Sequence, residues 1–155
     1  MVESSANATG KKPFKYQQLI NELLAKGCSL PSLFQPNGMS ACRFAFTEPG
    51  RHNHIPQYVC NPRRMLQDID KNTATTSLLA LSCLTTPEKA EAFYANLRKA
   101  FRNEASSIGD SLAEGILTNE DGMMTAPSAN GHFDFYEYEL CDLNKTFHIT
   151  RKLAR

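Results

Sequence analysis

Two alternating, aromatic-rich runs close the chain: Gly131-His-Phe-Asp-Phe-Tyr-Glu-Tyr-Glu139 and Thr146-Phe-His-Ile-Thr-Arg-Lys-Leu153. A short stretch containing Asp142 and Asn144 joins them. Period-two patterning with aromatic and β-branched residues reads as two strands, so the fold must contain a sheet with one apolar face. Near the end of the first run stand Glu137 and Glu139. Spacing of two on a strand predicts that both carboxylates leave one face. Carboxylates are costly to bury, so such a pair marks either solvent or a site.

Upstream, helical and extended patterns alternate. Tyr16, Leu19, Ile20, Leu23 and Leu24 recur at helical spacing over 14–26, and Gly27 supplies a stop. Ser40 to Thr47 predicts a strand with Cys42, Phe44 and Phe46 on one face and Ala41, Arg43 and Ala45 on the other. Gln57 to Cys60 reads as a further short strand. Asn61-Pro62 offers an N-cap and a first-turn proline for a brief helix. The apolar run Ser77–Leu84 reads as a buried strand. Thr86-Pro87 then opens a helix whose stripe is Ala90, Phe93, Leu97, Ala100 and Phe101. Ser111–Leu117 predicts another strand, and Asn119–Gly131 a long loop. The order predicts one mixed α+β domain over 13–155, its sheet mostly antiparallel, behind a flexible tail at 1–12.

Composition removes several classes. At 155 residues and 41% hydrophobic content the chain suits one soluble domain with a real core. Seventeen Lys and Arg against sixteen Asp and Glu leave a formal charge of +1, which gives no electrostatic case for nucleic acid or membrane. The pairs Lys11-Lys12, Arg63-Arg64 and Arg151-Lys152 read as solvated surface. The five cysteines, Cys28, Cys42, Cys60, Cys83 and Cys141, share no CxxC spacing. Free thiols in a reducing compartment are expected rather than a disulfide framework. With no apolar signal segment and no membrane-length apolar run, a cytoplasmic location is expected.

Three elements invite weighing together: Arg43 on the first strand, Ser82 in the central apolar run, and Glu137/Glu139. In this order the chain resembles the ADP-ribosyltransferase-like superfamily, in the branch with an early-strand arginine, a Ser-Thr-Ser motif and Glu-x-Glu. Ala41-Cys-Arg43-Phe stands in the first position, Leu81-Ser-Cys-Leu-Thr-Thr-Pro87 in the second, and Glu137-Tyr-Glu139-Leu in the third. Thr146-Phe-His-Ile149 would be the strand that pairs with the third. The serine motif is Ser82-Cys83-Leu84, so one of its three positions matches.

The resemblance implies an NAD site. Arg43 would pair with the diphosphate, Ser82 would hold the nicotinamide ribose, and Glu139 would stabilise oxocarbenium charge while Glu137 orients a nucleophile. ADP-ribosyl transfer, NAD hydrolysis and binding alone are its possible outcomes. The Asn119–Gly131 loop would recognise a protein target.

Other readings stay open. The acids can be solvent-facing charges on a strand edge, with Arg43 their ion-pair partner. A non-enzymatic interaction or regulatory module, as from a bacterial operon, needs no cofactor. Cys42, His52, His54 and Cys60 follow no zinc-site spacing, so no metal is expected. His132, opening a strand, reads as structural or as an acid or base. The interleaved acids Asp134, Glu137 and Glu139 argue against a base-stacking sheet.

Overall fold

The architecture rests on a six-stranded sheet in the order β4-β5-β2-β1-β3-β6, every neighbouring pair antiparallel. The computed structural model describes residues 12–48, 53–100 and 108–153. The elements are α1 (Gln17–Ala25), β1 (Met39–Ala45), α2 (Gln57–Cys60), α3 (Pro62–Asp70), a 3₁₀ turn (Thr76–Leu79) and β2 (Leu81–Leu84). After these come α4 (Pro87–Ala100), β3 (Ser111–Leu117), β4 (Gly122–Met124), β5 (His132–Glu137), α5 (Leu143–Thr146) and β6 (His148–Lys152). The chain is thus a single α+β domain.

Local chemistry explains the boundaries. Gly27, at φ 99°, ends α1 in a left-handed conformation that only glycine adopts freely. Its N–H donates to the Leu24 carbonyl and that of Cys28 to Leu23, the paired bonds that close a helix on a glycine. The Asn61 side chain accepts from the Arg64 N–H, with Pro62 in the first turn. Thr86 Oγ1 accepts from the Lys89 N–H at the head of α4.

Alternation sorts the core. Ala41, Ala45, Leu81, Cys83, Phe133 and Phe135 pack on one face with Leu143 and Phe147. Cys42, Phe44, Leu84 and Leu112 face the other way, against Ala90 and Tyr94 of α4. A third cluster joins Ile20 and Leu23 of α1 to Tyr58, Met65 and Tyr136. All five cysteines are free thiols, with Cys42, Cys83 and Cys141 buried. No described helix is long and apolar enough to cross a membrane.

Four sequence expectations are corrected. Gln57–Cys60 is a helical turn, because Pro56 leads into it and its last amides bond back to the Pro56 carbonyl. The run Ser77–Leu84 is half 3₁₀ turn, capped by Thr75, and only its second half is strand. The Asn119–Gly131 loop contains β4, which pairs with the end of β5. Finally, the two terminal strands do not pair with each other. Asp142 caps α5 between them, β5 lies between β4 and β2, and β6 crosses to the opposite edge beside β3. The tail expectation falls outside the described residues except at Lys12, which pairs with Glu120.

Close approach of α5 to β3 depends on Gly115. A Cβ there would lie 2.5 Å from the Thr146 carbonyl oxygen, a backbone atom with little freedom to yield. Gly115→Ala is therefore expected to cost roughly 1–3 kcal/mol by overpacking. Urea unfolding measures it, and an unchanged midpoint would contradict the packing described.

Candidate functional site

β1 and β2 are neighbours that pair at one position only, Cys42 with Leu84, whereas β1 follows β3 over seven residues. Beyond that pair the two strands part, and the Arg43 side chain occupies the split. Its Nη1 donates to the Ser82 carbonyl, and its Nε donates to His54 Nδ1 at 2.9 Å. Arg43 is only 9% exposed. Among the described residues no carboxylate lies within ion-pair distance of it.

That partnership is unusual for a buried cation. Removing a guanidinium from water costs several kcal/mol, and arginine cannot escape the cost by losing its proton. A carboxylate would be the ordinary partner. Here it is an imidazole, held neutral first by burial and second by the positive charge of Arg43, which together lower the His54 pKa to about 3. Because Nδ1 accepts from Arg43, the neutral ring carries its proton on Nε2. Phe147 packs against the ring at 5.4 Å between centroids and holds it in place. His54 itself adopts φ 61°, so a left-handed turn aims the imidazole at the arginine.

Arg43, His54 and Ser82 line a cavity of about 550 Å³. Phe44, Leu84, Phe93 and Leu97 form its apolar wall, and Arg64 of α3 stands at its rim. Phe44 and Phe93 are stacked at 6.1 Å. Arg64 is exposed and engaged with Gln57 and with Asp68 at 3.5 Å. On the same sheet face as Ser82, across the β2–β5 register, lie His132 and Asp134. Ser82 Oγ and His132 Nε2 are 3.0 Å apart, and Asp134 Oδ1 is 3.8 Å from the same nitrogen. Burial raises the Asp134 pKa, against the lowering effect of His132. The His132 ring stacks on Phe93 at 5.9 Å, which ties the pair to the cavity wall.

The sequence-predicted residues therefore divide. Arg43 and Ser82 meet at one cavity. Glu137 and Glu139 do not line it. β5 ends at Glu137, so Glu139 does not continue the alternation but lies exposed in the following turn, its N–H bonded to the Pro13 carbonyl. Along a strand at about 3.3 Å per residue, the end of β5 at Glu137 is already roughly 10 Å beyond Asp134, the residue opposite Ser82. Glu137 is buried with its Oε2 3.0 Å from Lys15 Nζ. That ammonium also donates to the Cys141 carbonyl, so Glu137 ties the N-terminal segment to the turn after β5. Among the described residues its Oε1 has no hydrogen-bond partner, and burial raises its pKa while Lys15, then the Cys141 side chain and the charge of Arg43, oppose the rise.

No protein-family model, curated protein or solved structure matches the chain. The geometry stands alone.

Three residues of this site carried little signal in the sequence. His54 appeared only within a zinc set of unsuitable spacing, Arg64 only as half of a basic pair, and His132 only as a lone histidine opening a strand, structural or an acid or base. Of the four residues considered for zinc, His52 lies outside the described residues. Cys42 is buried against α4, His54 is bonded to Arg43, and Cys60 lines the cavity. No metal-binding group of three or more His, Cys, Asp or Glu occurs among the described residues.

The His54 contact has a signature in stability. A neutral buried imidazole with a pKa of about 3 binds its proton later than the unfolded chain does, near 6.5. The unfolded state thus gains protons first as pH falls, and folding stability drops from pH 6.5 towards 3, by at most about 1.4 kcal/mol per pH unit from this group. His54→Asn keeps a residue tolerant of the left-handed turn and an acceptor for Arg43. Denaturant unfolding across that window should show a shallower slope for the variant. Equal slopes would contradict the assignment.

Proposed function

We propose that the cavity binds a small anionic ligand with an aromatic or apolar portion, NAD or a related nucleotide before others. One observation carries this: a buried guanidinium, backed by a neutral imidazole and a carbonyl instead of a carboxylate, lines a ligand-sized cavity. The net positive charge left at Arg43 is what an anion would neutralise. Its remaining N–H groups form a planar fork suited to phosphate or carboxylate oxygens.

The cavity volume of about 550 Å³ falls within the ordinary range for small-molecule sites. Phe44, Leu84, Phe93 and Leu97 give the cavity an apolar side against which an apolar portion can pack. The resemblance to ADP-ribosyltransferase-like proteins supports the same ligand. Transfer of ADP-ribose or hydrolysis of NAD would in addition need a carboxylate beside the reacting carbon. Glu139 is in the turn beyond β5 and Glu137 is engaged by Lys15, so ligand binding without such chemistry is the better-supported reading.

Isothermal titration of the full chain with NAD, ADP and pyrophosphate tests it. Saturable binding is expected for the wild type. It should weaken at least tenfold in Arg43→Gln, since charge-assisted hydrogen bonds contribute roughly 1.5–3 kcal/mol. Arg64→Ala, at an exposed position, should weaken it without unfolding risk. Glu139→Gln should leave affinity unchanged. No binding of any of the three ligands by folded wild type would overturn the proposal, as would nicotinamide release from NAD that depends on Glu139.

A further inference from the structure

A second chemistry is arranged beside the anion anchor. Ser82 is exposed on β2, and its hydroxyl is 3.0 Å from His132 Nε2 on β5. Both positions are set by the sheet, since Ser82 pairs with Asp134 and Leu84 with His132. Phe93 stacks on the imidazole with ring planes 13° apart, fixing its orientation. Ser82, Phe93 and Arg43 all line the cavity.

We infer that Ser82 and His132 form a nucleophile and general-base pair that acts on an ester carrying an anionic group, with Arg43 holding the anion. Hydrogen-bond distance between a hydroxyl and a basic nitrogen is the geometric condition for such a pair. The Arg43 guanidinium contacts the carbonyl of Ser82 itself, which places the anchor within one residue of the nucleophile. A carboxylate oxygen of Asp134 lies 3.8 Å from the same Nε2.

The step balances without any further reactant than water. Ser82 Oγ attacks the ester carbonyl carbon while its proton passes to His132 Nε2. The carbon–oxygen bond to the leaving alcohol breaks, and that alcohol takes the proton from Nε2. Water, deprotonated by the same nitrogen, then attacks the acyl–serine ester and releases the carboxylic acid with Ser82 restored.

The inference rests on the ligand-binding proposal only for the anchor, and its first test avoids the anchor. The full-length protein is treated with an alkyl fluorophosphonate, which reports a nucleophilic serine and needs no anionic site. Covalent labelling mapped to Ser82 by peptide mass spectrometry is expected. It should be absent in Ser82→Ala and slowed roughly a hundredfold in His132→Gln, the usual contribution of a general base. No labelling of Ser82 in folded wild type, or an equal rate in His132→Gln, would overturn the inference and leave the anion-binding result untouched. The second arm compares hydrolysis of mono-p-nitrophenyl succinate with that of neutral p-nitrophenyl acetate. Wild type should favour the succinate ester. Equal rates with the two esters would overturn the substrate class.

Discussion

The contact on which the site depends is the insertion of Arg43 between two strands that have stopped pairing. A β-ladder normally satisfies its own carbonyls. Past the Cys42–Leu84 pair, the Ser82 carbonyl takes its bond from a side chain instead. This one substitution has three consequences. It opens the sheet into a cavity, it puts a charged group at the bottom, and it requires an acceptor for the remaining edge of the guanidinium. His54 meets that need only because its ring is neutral, and burial beside a cation is what keeps it so. The three groups are coupled: each explains the state of the next.

Much of the scaffold was legible because the relevant forces are local. Gly27 ending α1, Asn61-Pro62 opening α3 and the alternation of β1 follow from capping chemistry and from which side chains cover the core. Pairing was less legible. The C-terminal runs have the composition of a hairpin, yet α5 intervenes and carries β6 to the other edge of the sheet. Strand pairing is decided by tertiary contacts far apart in sequence, such as Thr146 against Gly115, that no local pattern encodes.

The candidate site shows the same division. Arg43 stood out as a charge inside an apolar strand, and Ser82 as a hydroxyl inside an apolar run; both reach the cavity. The acids were less well placed by periodicity. Alternation predicts a common face for Glu137 and Glu139 only while the strand lasts, and β5 ends at the first of them. The sequence named His54 only within a zinc set and His132 only as a lone structural or acid–base histidine, because their partners, Arg43 and Ser82, are 11 and 50 positions away. Only the folded sheet brings those atoms within 3 Å.

The central claim is the proposal that Arg43, with no carboxylate of the described residues within ion-pair distance, takes its counter-charge from a ligand. A crystal structure of the protein soaked with pyrophosphate or NAD tests it most directly. Phosphate oxygens are expected at about 3 Å from the free guanidinium nitrogens of Arg43, with the His54 and Ser82 contacts retained. A diphosphate bound on another surface, with Arg43 turned instead to a carboxylate of the chain, would contradict the account.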